Sequence, residues 1–465
     1  MSRKNLSLSS RVLGTFLVGA LALAACGNSG DDDVDAADAP GTTEAAESGS
    51  EDSGEGSGEF QAISGVPGVT DDEISFAVLS TGESNPLGYC LLACIEDGVK
   101  AYFDWRNSEG GLHGRDLVVS KVVDDELGNN QVKALELTED SDVFGVFSVP
   151  LIASGFADLA SARVPVWTNV VAASESAGQE TIFQLSGTPC IKCPAMSNLY
   201  LPKQAGATTV AAIGYGVSQA SKDQVASVIA SVEKWGDDAG IELGYTNDDM
   251  PYGLPNGIGP EVTAMKEAGV DYVITAFDQG GALALEQELE RQGMSDVLVQ
   301  LPQGYADAEF AAANADLLEG DILSTYVRPL EANPEGTQME HYLHWMEERG
   351  ATVTEYSLHG WVMADLAYQG ILAAGPQFDR EAVIEATNQF TDYTGGGMTA
   401  PVDYSRQHNP PTIDDPVTNG PAQRCFGYVT ITGGEFELIG DPEKPWTCWD
   451  QADGEWHEPT ATNFE

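Results

Sequence analysis

Positive charge is what this chain has least of: its 465 residues carry 21 Lys and Arg against 73 Asp and Glu, a formal net charge of −52. That deficit argues against nucleic acid and anionic membrane surfaces as partners, because both are gripped through phosphate-neutralising Lys and Arg. Histidine is scarce as well, at six residues. Only His341 and His344 share a helical face, and such a pair is more often a solvated surface than a metal site, so neither metal nor cofactor is expected. The motifs G-x-S-x-G, H-E-x-x-H, Walker A and a strand-linked G-x-G-x-x-G are all missing, which leaves no candidate catalytic residue and argues against an enzyme. Residues 251–260 (PYGLPNGIGP) read as a Pro-punctuated loop, and Thr394 to Met398 lacks the Lys and the strand–helix context of a phosphate cradle. The carboxylate pairs Asp124-Asp125 and Asp414-Asp415 are ordinary in so acidic a chain, and no repeat of 20 to 50 residues appears.

Long apolar runs are also lacking, apart from residues 12–25, which are too short to span a ~30 Å hydrocarbon core comfortably. Arg3, Lys4 and Arg11 precede that run, and Leu23-Ala24-Ala25-Cys26 closes it. The pattern resembles a bacterial lipobox, so residues 1–25 are expected to be a cleaved signal and Cys26 a lipidated N-terminus on the outer face of the cell membrane, each buried CH₂ adding roughly 0.8 kcal/mol of anchoring. From Asn28 to Glu59 come eleven carboxylates and no Lys or Arg. Self-repulsion and abundant Gly and Ser predict a disordered acidic tether over 26–67.

Of seven cysteines, lipidation of Cys26 leaves Cys90, Cys94, Cys190, Cys193, Cys425 and Cys448. Even parity suits three disulfides in an oxidising compartment; the pairing stays open, with Cys425 and Cys448 favoured because they flank one hairpin. Cys190-Ile-Lys-Cys193 also has redox or zinc spacing, the basis of a remote alternative, an exported thiol-disulfide oxidoreductase.

Roughly 400 residues remain, enough for two ordinary cores. Strands are expected over Ile74–Ser80, Asp116–Val123, Val143–Val149 and Val164–Val170, with a helix over 91–106 ended by Gly110-Gly111. The rhythm restarts with strands Thr208–Tyr215, Val270–Phe277 and Val297–Leu301 and helices Asp223–Trp235 and Leu283–Gln292. Strand–helix–strand repetition implies right-handed βαβ units, hence an α/β protein with two Rossmann-like doubly wound lobes. Ser357–Ala373 reads as an apolar helix, and Tyr428–Leu438 as a hairpin around Gly433-Gly434.

The run from Ala101 to Arg115 (AYFDWRNSEGGLHGR), followed by Asp124-Asp125, resembles the A-x-x-D-x-x-N-x-x-G-G-I-x-G-R … D-D segment of type I periplasmic binding proteins of the leucine/isoleucine/valine-binding family. The resemblance continues through Pro260–Val273, Gly360–Leu366 and Tyr393–Met398 and covers about 68–440. It implies lobes joined by three hinge crossovers: 68–186 with 325–400, and 187–324 with 401–445, leaving 446–465 as a tail. It further implies an extracytoplasmic, monomeric receptor that closes on a small polar molecule (an amino acid, amide or related compound) and delivers it to ABC permease subunits. A ligand sensor of the same fold is the alternative.

Ligands of doubly wound sheets sit outside the carboxyl ends of the strands. That rule nominates Ser148, Pro150, Asn169, Val171, Tyr215, Gln219, Asp278, Gln279 and Tyr305, with Asn169 and Asp278 foremost. In amino-acid-binding relatives small hydroxyl or backbone N–H groups after the third and fourth strands, a serine after the third among them, grip the carboxylate and a lobe-two acid holds the ammonium. Here those positions fall near Pro150 and near Gly281, with Asp278 three residues earlier, so a plain aliphatic amino acid is not the expected ligand.

Overall fold

The computed structural model describes residues 60–465 except 84, 86–88, 170–176, 186, 188–189, 191, 303–304, 306, 410–422 and 451–452. Cys26, residues 26–59 of the expected tether and Val171 lie outside the described residues, which belong to one compact unit. Residues 60–67, also expected as tether, instead pack on the first lobe, where Arg115 donates to Gln61 O and Ile63 and Val66 lie against the apolar core. Its first sheet holds β1 (Glu73–Ser80), β2 (Asp116–Asp124), β3 (Gly145–Val149), β4 (Val166–Thr168) and β5 (Ile182–Gln184) in the order β2-β1-β3-β4-β5, all parallel. Both faces are covered, as parallel sheets require. Alternate residues of β1 prove the point: Phe76 and Val78 pack into one apolar cluster with the Glu355–Ala374 helix, while Ala77 and Leu79 pack into another on the opposite face.

The second sheet comprises β6 (Thr209–Tyr215), β7 (Glu242–Met250), β8 (Tyr272–Ala276), β9 (Leu298–Leu301), β10 (Ile322–Thr325), β11 (Gln423–Thr432), β12 (Glu435–Leu438), β13 (Trp446–Asp450) and β14 (Thr460–Thr462). Its order is β14-β13-β11-β10-β9-β8-β6-β7, with β12 on β11. The same alternation recurs, Ala211 and Ile213 facing one core and Val210 and Ala212 the other. From β11 onward the pairing turns antiparallel, and residues 446–465, expected as a tail, supply two paired strands.

The chain passes between the sheets three times: after β5, after β10, and again before β11. The Met339–Arg349 helix, reached by the second passage, buries Tyr342 and Met346 in the first lobe. His341 on that helix stacks on Trp105 with ring centroids 4.2 Å apart, a packing role. The 251–260 segment is loop only as far as Ile258, where the Gly259–Glu267 helix begins. Cysteines pair as Cys90–Cys94, Cys190–Cys193 and Cys425–Cys448, the last pair in register on β11 and β13.

Candidate functional site

The 101–115 motif builds the edge of the site rather than its lining. Gly110 and Gly111 take φ of 106° and 72°, and the turn lets Asn107 clamp Leu117, its amide donating to the carbonyl (2.9 Å) and accepting from the N–H (2.8 Å). Arg115 is buried and donates to the carbonyls of Gln61 and Thr70. Asp124 Oδ1, at the end of β2, accepts from Gly82 N at 2.9 Å and so anchors the loop leaving β1. That loop leads to Tyr89, whose ring stacks on Tyr356 at 5.1 Å and 8°.

Tyr356 lies in the first turn of the Glu355–Ala374 helix, which starts from a capping box between Thr354 and Ser357. Glu355 and Tyr356 stand where the first lobe faces the second, and both are partly buried. One turn on, buried His359 packs edge-on against Tyr356 at 5.6 Å and accepts at Nδ1 from Asn169 Nδ2 at 3.1 Å. Burial drives His359 down to about 3 and Glu355 up to about 8; the helix N-terminus pulls Glu355 the other way.

From the second lobe, Asp278 follows β8 and caps the Gln279–Arg291 helix, its Oδ1 accepting from Gly281 N (2.7 Å) and from Tyr215 Oη (2.9 Å). Burial and then the charge of the same carboxylate raise Tyr252, and the Tyr215 and Tyr252 rings meet edge-on at 5.2 Å. Tyr89 is pushed up to about 12, first by burial, and it also feels the negative charge of Glu355 on its own lobe and of Asp278 on the other. Tyr305 Oη donates to Glu331 Oε2 at 3.0 Å and accepts from Leu330 N at 2.6 Å, tying the loop after β9 to the second crossover. Burial raises Glu331, and Tyr305 in turn senses Glu355.

The residues nominated from strand exits thus divide. Asn169, Asp278, Tyr215 and Tyr305 join this aromatic and acidic cluster, although each already has a protein partner. Ser148 is buried within its sheet, donating to Leu79 O at 2.7 Å, and Pro150 is buried beside it. Gln219 is exposed and donates to Asp223 on its own helix, while Gln279 donates to Asp307. Tyr89, Tyr252, Glu355, Tyr356 and His359 went unnominated; for Glu355 and Tyr356 the reason is that the expected helix began at Ser357, whereas the helix starts at Glu355. Thr354, an N-cap residue type three before Ser357, was the available signal. Among the described residues no group of three His, Cys, Asp or Glu is placed to hold a metal. Cys190 and Cys193 are bonded to each other and buried, 6% and 0% exposed, which leaves little access for the partner thiol that exchange chemistry needs.

A family model described as periplasmic binding protein matches residues 84–418. No curated protein sequence matches the chain. Among solved structures it is similar to a fatty acid ABC transporter substrate-binding protein from Thermomonospora curvata (TM-score 0.61, 17% identity, 87% of this chain and 100% of that one). It is similar also to a branched-chain amino acid ABC transporter from Thermus thermophilus with bound valine (0.60, 16%, 80% and 96%), and to a solute-binding protein from R. palustris in complex with benzoate (0.56, 16%, 80% and 96%). With two doubly wound lobes, three passages between them and a family match over most of its length, the chain belongs to the periplasmic binding protein family, a family of binding receptors and not of enzymes.

Proposed function

We propose that this chain is a monomeric receptor, held outside the cell by lipid on Cys26, that closes its two lobes on a small polar solute and delivers it to the permease of an ABC importer. Lobe one is drawn from 68–186 with 325–409 and lobe two from 187–324 with 423–465, whose β11, β13 and β14 pair in the second sheet. The observation that carries the reading is the pair of doubly wound sheets joined by three passages, with the stacked Tyr89 and Tyr356 on the first lobe and Asp278 with Tyr215 at a strand exit of the second. Closure about three crossovers needs no chemistry, only a ligand that binds the closed state more tightly than the open one. No helix among the described residues is long and apolar enough to cross a membrane, which suits attachment through Cys26.

Two measurements test this. Replacing Cys26 with Ser is expected to release the protein into the medium or leave it unprocessed; normal processing with unchanged membrane retention overturns the lipid anchor. Small-angle scattering of the soluble chain with a broad panel of amino acids, amides, amines and carboxylates is expected to show a smaller radius of gyration with at least one compound that also raises the melting temperature, since ligand stabilises by RT ln(1 + [L]/Kd). Closure with none of them overturns the receptor reading.

A further inference from the structure

The polar groups of this locus are unevenly divided between the two signs of charge. Asp278, Glu331 and Glu355 contribute three carboxyls, and none of the ion pairs of the described residues reaches any of them. Asp278 and Glu331 have hydroxyl or amide donors. Glu355 has neither a hydrogen bond nor an ion pair among the described residues, although burial makes its ionised form costly. A carboxyl left so, partly exposed in the first turn of a well-capped helix and next to a stacked tyrosine pair, is open to a partner from outside the protein.

Among the described residues at the third and fourth strand exits, the donors that would serve a carboxylate, the opposite half of an amino-acid site, are already engaged. The Ser148 hydroxyl donates to Leu79 O, and Pro150 has no N–H. Leu151 N donates to Thr81 Oγ1 at 3.1 Å, and the Asn169 amide donates to His359. No Lys or Arg is in contact with the tyrosines at the locus: the cation–ring contacts of the described residues involve Arg106, Arg115, Lys203, Lys234 and Arg424, all on other rings. Tyrosine faces attract cations, and desolvation strengthens the attraction.

We infer that the ligand is an organic ammonium ion without a carboxylate, its charged nitrogen seated between Glu355 and the Tyr89–Tyr356 pair, with Asp278 and Tyr252 closing over it from the second lobe. The inference rests on the receptor reading and specifies its solute. It also accounts for closure. A cation seated between Glu355 and Asp278 favours the ionised form of Glu355 and attracts the carboxyl groups of both lobes.

Choline and 1,4-diaminobutane serve as probes, with leucine, benzoate and 1-butanol as comparisons, titrated calorimetrically into the soluble wild-type chain. The ammonium probes are expected to bind and the comparisons not to. Glu355→Gln is expected to weaken ammonium binding about tenfold or more, the scale of a charge-assisted contact, and Tyr356→Leu to weaken choline further than 1-butanol. Choline stays charged at every pH, so a pH profile reports on the protein. Its affinity is expected to climb, by up to about tenfold per pH unit, towards the Glu355 value near 8 and then level off, because only ionised Glu355 attracts it. The groups facing Glu355 are His359, held neutral by burial, Tyr89 and Tyr305, both raised, and Glu331 and Asp278; Glu331→Gln shows whether the profile belongs instead to that neighbour. A flat profile, or Glu355→Gln binding choline like wild type, overturns the assignment to Glu355. Leucine or benzoate binding with closure while both ammonium probes fail overturns the ligand class and leaves the receptor reading intact; failure of every solute to close the lobes overturns both.

Discussion

Asp278 Oδ1 accepts from the Gly281 amide and from the Tyr215 hydroxyl at once, so removing the carboxylate has two consequences that a strand-exit argument does not separate. Asp278→Ala is expected to lower unliganded stability by about 1 kcal/mol through the lost N-cap. The same variant is expected to weaken solute binding by about 1.5 to 3 kcal/mol through the lost charged contact. Asp278→Asn keeps an acceptor for the cap and removes the charge, so chemical denaturation should find it near wild type while calorimetry finds binding impaired. Glu355 produces the opposite sign. Its folded value is raised to about 8 from an ordinary 4.5, so its ionisation destabilises the empty protein, and that stability is complete below about pH 4.5 and lost as pH rises towards 8. Glu355→Gln is therefore expected to melt higher than wild type at pH 8 and together with it at pH 4.5; equal melting temperatures at both values would contradict the burial argument. His359 runs the other way, its depressed value meaning stability that is complete above about pH 6.5 and lost as pH falls towards 3.

The Glu355–Ala374 helix positions three of the site's side chains, and its own position depends on glycine. A Cβ on Gly98 would meet Ser357 O at 1.8 Å, and one on Gly360 would meet Ile95 O at 2.3 Å, so the Leu92–Ser108 and Glu355–Ala374 helices touch backbone to backbone. Gly360→Ala is expected to force them apart, lowering stability by about 1 to 3 kcal/mol, the range for overpacking. Because Glu355 and Tyr356 move with that helix, solute affinity should fall as well; a variant with altered stability but wild-type affinity would uncouple the helix from the site. Between the same two helices, Asp365 accepts from Tyr102 (2.8 Å) and Tyr393 (2.8 Å), and Gln338 from the second crossover donates to it at 2.8 Å. This buried network explains why Gly360–Leu366 and Tyr393–Met398 are recognisable in the sequence: they fasten a crossover to the first lobe.

At the scale of the whole molecule, two of the three disulfides stand at passages between lobes. Cys190–Cys193 lies in the first crossover, and Cys425–Cys448 ties β11, where the third crossover ends, to β13. They span 3 and 23 residues. Loop-closure entropy then predicts that Cys425→Ser with Cys448→Ser lowers stability by about 3 kcal/mol, against less than about 2 kcal/mol for the Cys190 and Cys193 pair. Denaturant titration of the two double variants checks the order. The C-terminal segment adds a further tie, since Arg328 in the second crossover donates to Asn463 (2.8 Å) and Thr394 Oγ1 to the Glu465 carbonyl (3.0 Å).

Hydrophobic periodicity, a local property, was sufficient by itself for the two doubly wound lobes, and residues such as Phe76 with Ala77 or Val210 with Ala211 show why: a parallel strand covered on both faces must be apolar at every position. The edge strand β7 and the short strands escaped notice for the converse reason. β7 (ELGYTNDDM) is largely solvent-facing, and β5, β10 and β14 have too few residues to show a period. The strand-exit rule reached Asp278, Asn169, Tyr215 and Tyr305, because direction along a parallel strand is itself written in the order of elements. What tertiary structure alone decided was which polar groups remain available. Ser148 and Asp278 look alike as small polar residues after strands, yet the hydroxyl of one turns into the sheet towards Leu79 O while the carboxylate of the other accepts from Tyr215. Likewise Glu355 is one of 73 acidic residues in the sequence, and nothing local marks it; its isolation from any cation arises only when the second lobe and the Tyr89 loop surround it, because burial and electrostatic partnership are properties of neighbours in space.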